Sequence, residues 1–319
     1  MSYALPESEI GKDKSMIQVK NLRKHFGEKV AVDGISFNIE KGKITGLLGP
    51  NGAGKTTTMR IMAGYFSDTF GSVSYDGLDM NSHTISIKRR LGYLSEQAPL
   101  YTDMNVREYL HFCADARGIP ERQKGIAIQK VLDLCELKTV IYVPIHQLSK
   151  GFKQRVALAG TLVHDPDYII LDEPSSGLDP NQILMIRNLI RDLGKDKTIL
   201  ISTHILQEVT EICDQVIILS EGKIVMNASV NELGVTNRIF FRSEVPIQKV
   251  KEIFFGTGMK DIEILQSNED GTFNYSIDSV GQGGQSVFKV LAKNSYSAHE
   301  IRPFIRSIDD IFSDLTRNH

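Results

Sequence analysis

Gly49-Pro50-Asn51-Gly52-Ala53-Gly54-Lys55-Thr56 matches G-x-x-x-x-G-K-[ST] at every fixed position. The run Lys43-Ile44-Thr45-Gly46-Leu47-Leu48 before it reads as a strand, and Thr57 to Ala63 after it as a helix. Successive backbone N–H groups on a glycine-rich turn can surround the charges of a triphosphate. A Cβ there would block close approach and forbid the turn dihedrals, which explains the glycines. Lys55 is suited to reach the β and γ phosphates and Thr56 to ligate Mg²⁺, while the helix N-terminus adds favourable potential up to Thr57. An ordinary glycine-rich turn is the plainer reading. Strand, loop, lysine, threonine and helix in the required order set it aside. The stretch reads as a nucleotide-binding P-loop.

A chain of 319 residues can hold one large and one smaller domain, and 41% hydrophobic residues can fill a substantial core. A net charge of −2 gives no basic field, so no nucleic-acid partner is expected. Cys113, Cys135 and Cys213 are scattered, as reduced structural thiols in a cytosolic protein would be. No apolar run approaches the ~20 residues needed to span a bilayer. The first fourteen residues lack the apolar centre of a signal peptide and read as a disordered tail over 1–14. A link to the membrane is therefore expected to come through a partner chain.

Strand patterns fall at 16–19, 34–39, 71–75 and 91–94, the third closed by the turn Asp76-Gly77. The composition then changes. Asn105 to Glu108 has capping-box spacing and opens a helix to Ala116; a second helix is predicted over 120–135 with Pro120 in its first turn, and a third from Ser149. These make an inserted helical subdomain at about 98–165. Strands resume at 168–171 and 198–201 around a helix after Pro180, and a hairpin turns at Glu221-Gly222. Strands alternating with helices predict an α/β core with parallel strands over 15–229. Beyond it, 230–319 reads strand 238–242, helix 247–255, strands 261–265 and 272–277, helix 286–293, strand 299–303 and helix 308–316. That βαββαβ order predicts a small α+β, ferredoxin-like accessory domain. The glycine-rich 281–285 reads as a loop before its second helix.

Two further stretches carry chemistry. Asp172-Glu173 ends the apolar run 168–171, which brings both carboxylates to the sheet edge where a P-loop lies. The aspartate can hold Mg²⁺ there and the glutamate can polarise water. Leu148-Ser149-Lys150-Gly151-Phe152-Lys153-Gln154-Arg155 places a serine N-cap and a glycine at a helix start, a second anion site away from the P-loop. The chain thus carries two half-sites for one triphosphate.

This stretch resembles the L-S-G-G-Q signature of ABC-type ATPases, with Lys150 for the first glycine and Phe152 for the glutamine. The resemblance covers about residues 16–228 and implies a P-loop NTPase fold of the ABC type. It further implies that Phe26 stacks on adenine, that Gln97 contacts Mg²⁺ and senses a transmembrane partner, that Asp179 closes the D-loop Ser176-Gly177-Leu178-Asp179, and that His204 is the switch histidine at the γ-phosphate. Ser149 and Gly151 keep the pair that meets the γ-phosphate from a second copy. The form L-S-K-G-F-K-Q-R, with Tyr93 to Gln97 and Gly64-Tyr65, is closest to exporters of the drug-efflux and gliding-motility kind, as is 307–316. The implied protein is an ATP-hydrolysing subunit with ATP and Mg²⁺, working as a homodimer that drives a separate permease from the inner face of the cell membrane. The competing readings are a soluble ABC ATPase acting on nucleic acid or ribosomes, a non-hydrolysing switch, and an importer ATPase with a ligand-sensing C-terminal domain. The first needs a coiled-coil insertion, zinc cysteines or two cassettes, none of which stands in this sequence; the switch conflicts with an intact Glu173 and His204.

Overall fold

The computed structural model describes residues 16–232, 235–279 and 283–305. The expected tail over 1–14 and the expected helix over 308–316 lie outside the described residues. The chain divides into two compact units, one up to Val230 and the other from Asn231.

The first unit opens with two long strands, β1 (Met16–Phe26) and β2 (Lys29–Glu40), followed by β3 (Ile44–Leu48), the P-loop and α1 (Lys55–Met62). A hairpin, β4 (Phe70–Tyr75) and β5 (Leu78–Asp79), turns through Asp76 and Gly77, both at positive φ as a type I′ turn requires. Then come α2 (Thr84–Arg90), β6 (Leu91–Leu94) and three helices, α3 (Val106–Ala116), α4 (Glu121–Leu134) and α5 (Lys150–Leu162). Asn105 closes the capping box with Glu108, and Pro120 is the N-cap of α4 instead of part of its first turn. The unit ends with β7 (Tyr168–Asp172), α6 (Pro180–Leu193), β8 (Thr198–Thr203), α7 (Leu206–Ile212), β9 (Gln215–Ser220) and β10 (Lys223–Ser229).

The strands form two sheets. β2-β1-β4-β5 is antiparallel; β10-β9-β3-β8-β7-β6 is parallel except at β10. A parallel sheet is covered on both faces, so its central strands are mostly buried and apolar and each face takes alternate residues. Tyr168, Ile170 and Leu200 enter one core with Ile17, Ile39 and Met59, under the antiparallel sheet and α1. Ile169, Leu171, Ile199 and Ile201 enter the other, with Leu110, Val131 and Leu158 of the inserted helices and Ile186 of α6.

The second unit runs β11 (Val235–Ser243), α8 (Ile247–Phe254), β12 (Lys260–Ser267), β13 (Phe273–Asp278), α9 (Gly283–Lys293) and β14 (Glu300–Ile305). Its antiparallel order β12-β13-β11-β14 is the ferredoxin-like arrangement. Phe241, Phe254 and Tyr275 pack at its centre, whereas Phe255 is 90% exposed. Gly283 to Gln285, read as loop, form the first turn of α9, while 281–282 lie outside the described residues.

Candidate active site

Because β3, β8 and β7 are adjacent and parallel, the segments leaving their C-terminal ends emerge at one edge of the sheet. Leu48 pairs with Thr203, and Asp172 with Ser202. That register brings the P-loop, Glu173 and His204 to the same level. They line a cavity of about 530 Å³ with Phe26, Asn51, Thr56 and Thr57.

The P-loop needs its glycines for space as well as for dihedrals. Gly54 has φ +103°, and a Cβ on it would stand 2.6 Å from the carbonyl oxygen of Ala31. Lys55, first residue of α1, is only 6% exposed, and its ammonium donates to the carbonyls of Gly49 (2.7 Å) and Pro50 (3.2 Å). Glu173 Oε1 stands 3.8 Å from it. Burial pushes the Lys55 ammonium below the usual lysine range, while the nearby Glu173, Asp172 and Glu96 carboxylates oppose that shift.

Asp172 is fully buried. Its Oδ1 accepts from Ser202 Oγ (2.6 Å) and Thr56 Oγ1 (3.2 Å), and Oδ2 has no hydrogen-bond partner among the described residues. Ser202 Oγ also accepts from the Glu173 amide at 2.9 Å. Glu173 Oε2 lies 2.9 Å from His204 Nδ1, and the imidazole is 52% exposed on the cavity wall. Phe26, the last residue of β1, is 46% exposed, with its ring edge-to-face on Phe66 at 5.6 Å. This exposure excludes a role as a core residue.

The segment 32–176 matches the family model described as ABC transporter. The bacitracin transport ATP-binding protein of Bacillus licheniformis is 33% identical over 304 residues, covering 94% of this chain and 97% of its own length. The chain belongs to the ABC transporter ATP-binding proteins. A Nod factor export ATP-binding protein of Burkholderia lata is 36% identical over 208 residues, 65% of this chain and 68% of its own. A solved structure described as the dimer of a bacterial ABC transporter cassette superposes with a TM-score of 0.63 at 25% identity, over 67% of this chain and 98% of its own. This ABC protein binds nucleotide and is an ATPase whose hydrolysis is coupled to transport.

Other residues read from the ABC motifs stand elsewhere. Among the described residues lining the cavity, Gln97, Ser149, Gly151 and Asp179 are absent. Gln97 lines a neighbouring groove of about 410 Å³ with Tyr65, Tyr93, Phe112 and Arg117, while Glu96 faces the nucleotide cavity. Ser149 is exposed and caps α5, accepting from the Phe152 amide at 3.4 Å. Asp179 caps α6 in a capping box with Gln182. Gly151 is packed so closely on the Gln182 side chain that a Cβ would collide with it, and the Lys150 ammonium lies against Gly177. Gln154 Nε2 donates to the Pro174 carbonyl at 2.9 Å. The start of α5 is thereby joined to the D-loop of its own chain. Sequence reading missed Glu96, Lys29 and Ser202; the polar end of β8 just before His204 was the available signal for Ser202.

Proposed function

We propose that this ABC ATPase is the motor subunit of an exporter, with two copies closing head to tail around two ATP and driving a separate permease. The observation that carries the reading is the division of the chemistry. Lys55, Thr56, Glu173 and His204 line the cavity, with the buried Asp172 hydrogen-bonded to Thr56 behind them, while Ser149 and Gly151, at the capped start of α5, neither line it nor bond to this group. A second chain is the natural source of those groups. The relative named for Nod factor export supports the direction of transport. Among the described residues no helix is long and apolar enough to cross a membrane, which supports attachment through a permease at the inner face of the cell membrane. The groove holding Gln97 and its aromatic wall is the surface we assign to that permease. In this reading 15–229 is the ATPase domain, with 98–165 as its helical subdomain, and 230–319 is accessory.

The residues fit Mg²⁺. A buried carboxylate oxygen of Asp172 has no partner among the described residues, and a threonine hydroxyl stands beside the other oxygen. These are the hard oxygen donors Mg²⁺ takes together with phosphate oxygens. When bound, the ion neutralises charge on the β and γ phosphates. Lys55 exchanges its contacts with the Gly49 and Pro50 carbonyls for phosphate oxygens. Phe26 offers an exposed ring face to adenine. Glu173, fixed through Oε2 by His204, keeps Oε1 to accept a proton from the attacking water. Purified protein should hydrolyse ATP only with Mg²⁺, and its specific activity should rise with protein concentration as dimers form. Specific activity independent of concentration down to the nanomolar range would remove the two-copy site.

A further inference from the structure

Glu208, in the first turn of α7, is 1% exposed. A buried carboxylate persists only when it is hydrogen-bonded and its charge is balanced. Its Oε1 accepts from Ser175 Oγ at 2.5 Å and its Oε2 from Thr203 Oγ1 at 2.6 Å. Arg187 of α6 supplies the balancing charge, with Nη2 3.7 Å from Oε1. Thr203 Oγ1 in turn accepts from the Ile205 amide at 3.0 Å, which shapes the turn around His204.

The two hydroxyls belong to different segments. Ser175 lies two residues past Glu173, and Thr203 one residue before His204. The β7–β8 ladder ends at Asp172 and Ser202, so beyond it the backbone of the two segments is not paired. Glu173 itself has φ 48° and precedes Pro174, a conformation the chain does not hold without outside support. Neither Glu208 nor its two hydroxyl partners line the nucleotide cavity.

We infer that Glu208 is a positioning residue for hydrolysis: its carboxylate clamps the segment after Glu173 to the segment before His204, and so maintains the 2.9 Å contact between them. The inference rests on reading Glu173 and His204 as the hydrolytic pair. Glu208 does not line the nucleotide cavity, so it acts through Glu173 and His204. Its effect is on the alignment of the base, and misplacement of a reacting group by about 1 Å can cost on the order of 10²-fold in rate.

The test is ATP turnover and equilibrium ATP binding by the full chain carrying Glu208→Gln, Ser175→Ala, Ser175→Thr or Glu173→Gln, with Glu208→Gln also placed on the Glu173→Gln background. Glu208→Gln and Ser175→Ala should lower kcat by roughly 10- to 100-fold while KM and the Kd for ATP stay within about twofold. Ser175→Thr, which keeps the hydroxyl, should retain the parent kcat. On the Glu173→Gln background Glu208→Gln should cause no further loss in single turnover, because the group it aligns is gone. Equal losses with and without Glu173, or a parent kcat in both single variants, would overturn the clamp. Should Glu208→Gln fail to fold, Ser175→Ala decides alone, since it leaves the Arg187–Glu208 pair in place. Parent-level turnover by Glu173→Gln would strike the hydrolytic pair itself, and the clamp with it, whatever Glu208→Gln does.

Discussion

Glu173 occupies a left-handed backbone conformation that costs on the order of 1–3 kcal/mol for a non-glycine residue. That cost is met where its carboxylate reaches Lys55 on one side and His204 on the other. Glu173→Gln should keep ATP binding and lose ~10²–10⁴ in turnover, the usual effect of removing a general base. The same variant should run as an ATP-bound dimer on size exclusion; hydrolysis at the parent rate would take Glu173 out of the role. Phe26 gives a second residue-scale test. Phe26→Ala should weaken ATP binding several-fold, since stacking of a base is worth about 1–3 kcal/mol, and should leave the melting temperature nearly unchanged because the ring is half exposed. Unchanged nucleotide affinity in a titration with a fluorescent ATP analogue would refute the stacking. At this scale the motifs were legible because each names atoms that phosphate chemistry requires. Glu208 was not legible: a glutamate on a short helix reads as a solvated surface residue until its neighbours in space are known.

The helices and strands differ in how plainly the sequence announces them. The capping boxes at Asn105 and Asp179 and the run of β7 are local signals, and the elements start where those signals stand. The short helices α2 and α7 carry no such signal, since neither N-cap side chain makes a capping hydrogen bond. They form because they bury Ile87, and Val209 with Ile212, against their neighbours. At the end of α5, His164 shows how packing alters chemistry. Its Nε2 lies 3.2 Å from the Leu91 carbonyl, and burial, helped by the Arg117 charge, pushes its imidazolium down to about 4. In the unfolded chain the same group titrates near 6.5. Between these values the unfolded state binds more protons, so this contribution to stability is lost as pH falls from about 6.5 towards 4. The parent protein should therefore lose more melting temperature than His164→Gln over that interval. Parallel loss in the two proteins would show that the imidazole stays solvated.

At the scale of the whole molecule, each unit encloses its own core, and Phe241, Val250, Tyr275 and Val287 of the second unit pack among themselves. A chain ending at Val230 keeps the hydrogen bond from the Val230 amide to Asp214 O (2.9 Å) that finishes the first unit. It should fold and bind ATP with unchanged affinity. If the second unit tethers two copies, at a typical effective concentration of ~mM, turnover by the shortened chain should depend more steeply on protein concentration than turnover by the full chain. Identical concentration dependence would dismiss tethering and favour a sensing role. The order of strands, helices and phosphate-binding motifs is written in local residue pattern, because periodicity, caps and glycine turns act over a few residues. From that order alone the ABC-type α/β core and the βαββαβ unit could be read. What only the tertiary structure decided was the separate antiparallel sheet of β1, β2, β4 and β5, the turning of Glu96 instead of Gln97 towards the cavity, and the clamp at Glu208. Each depends on which distant segments pack together, and the sequence pattern of a single strand or helix holds no record of its partner across the fold.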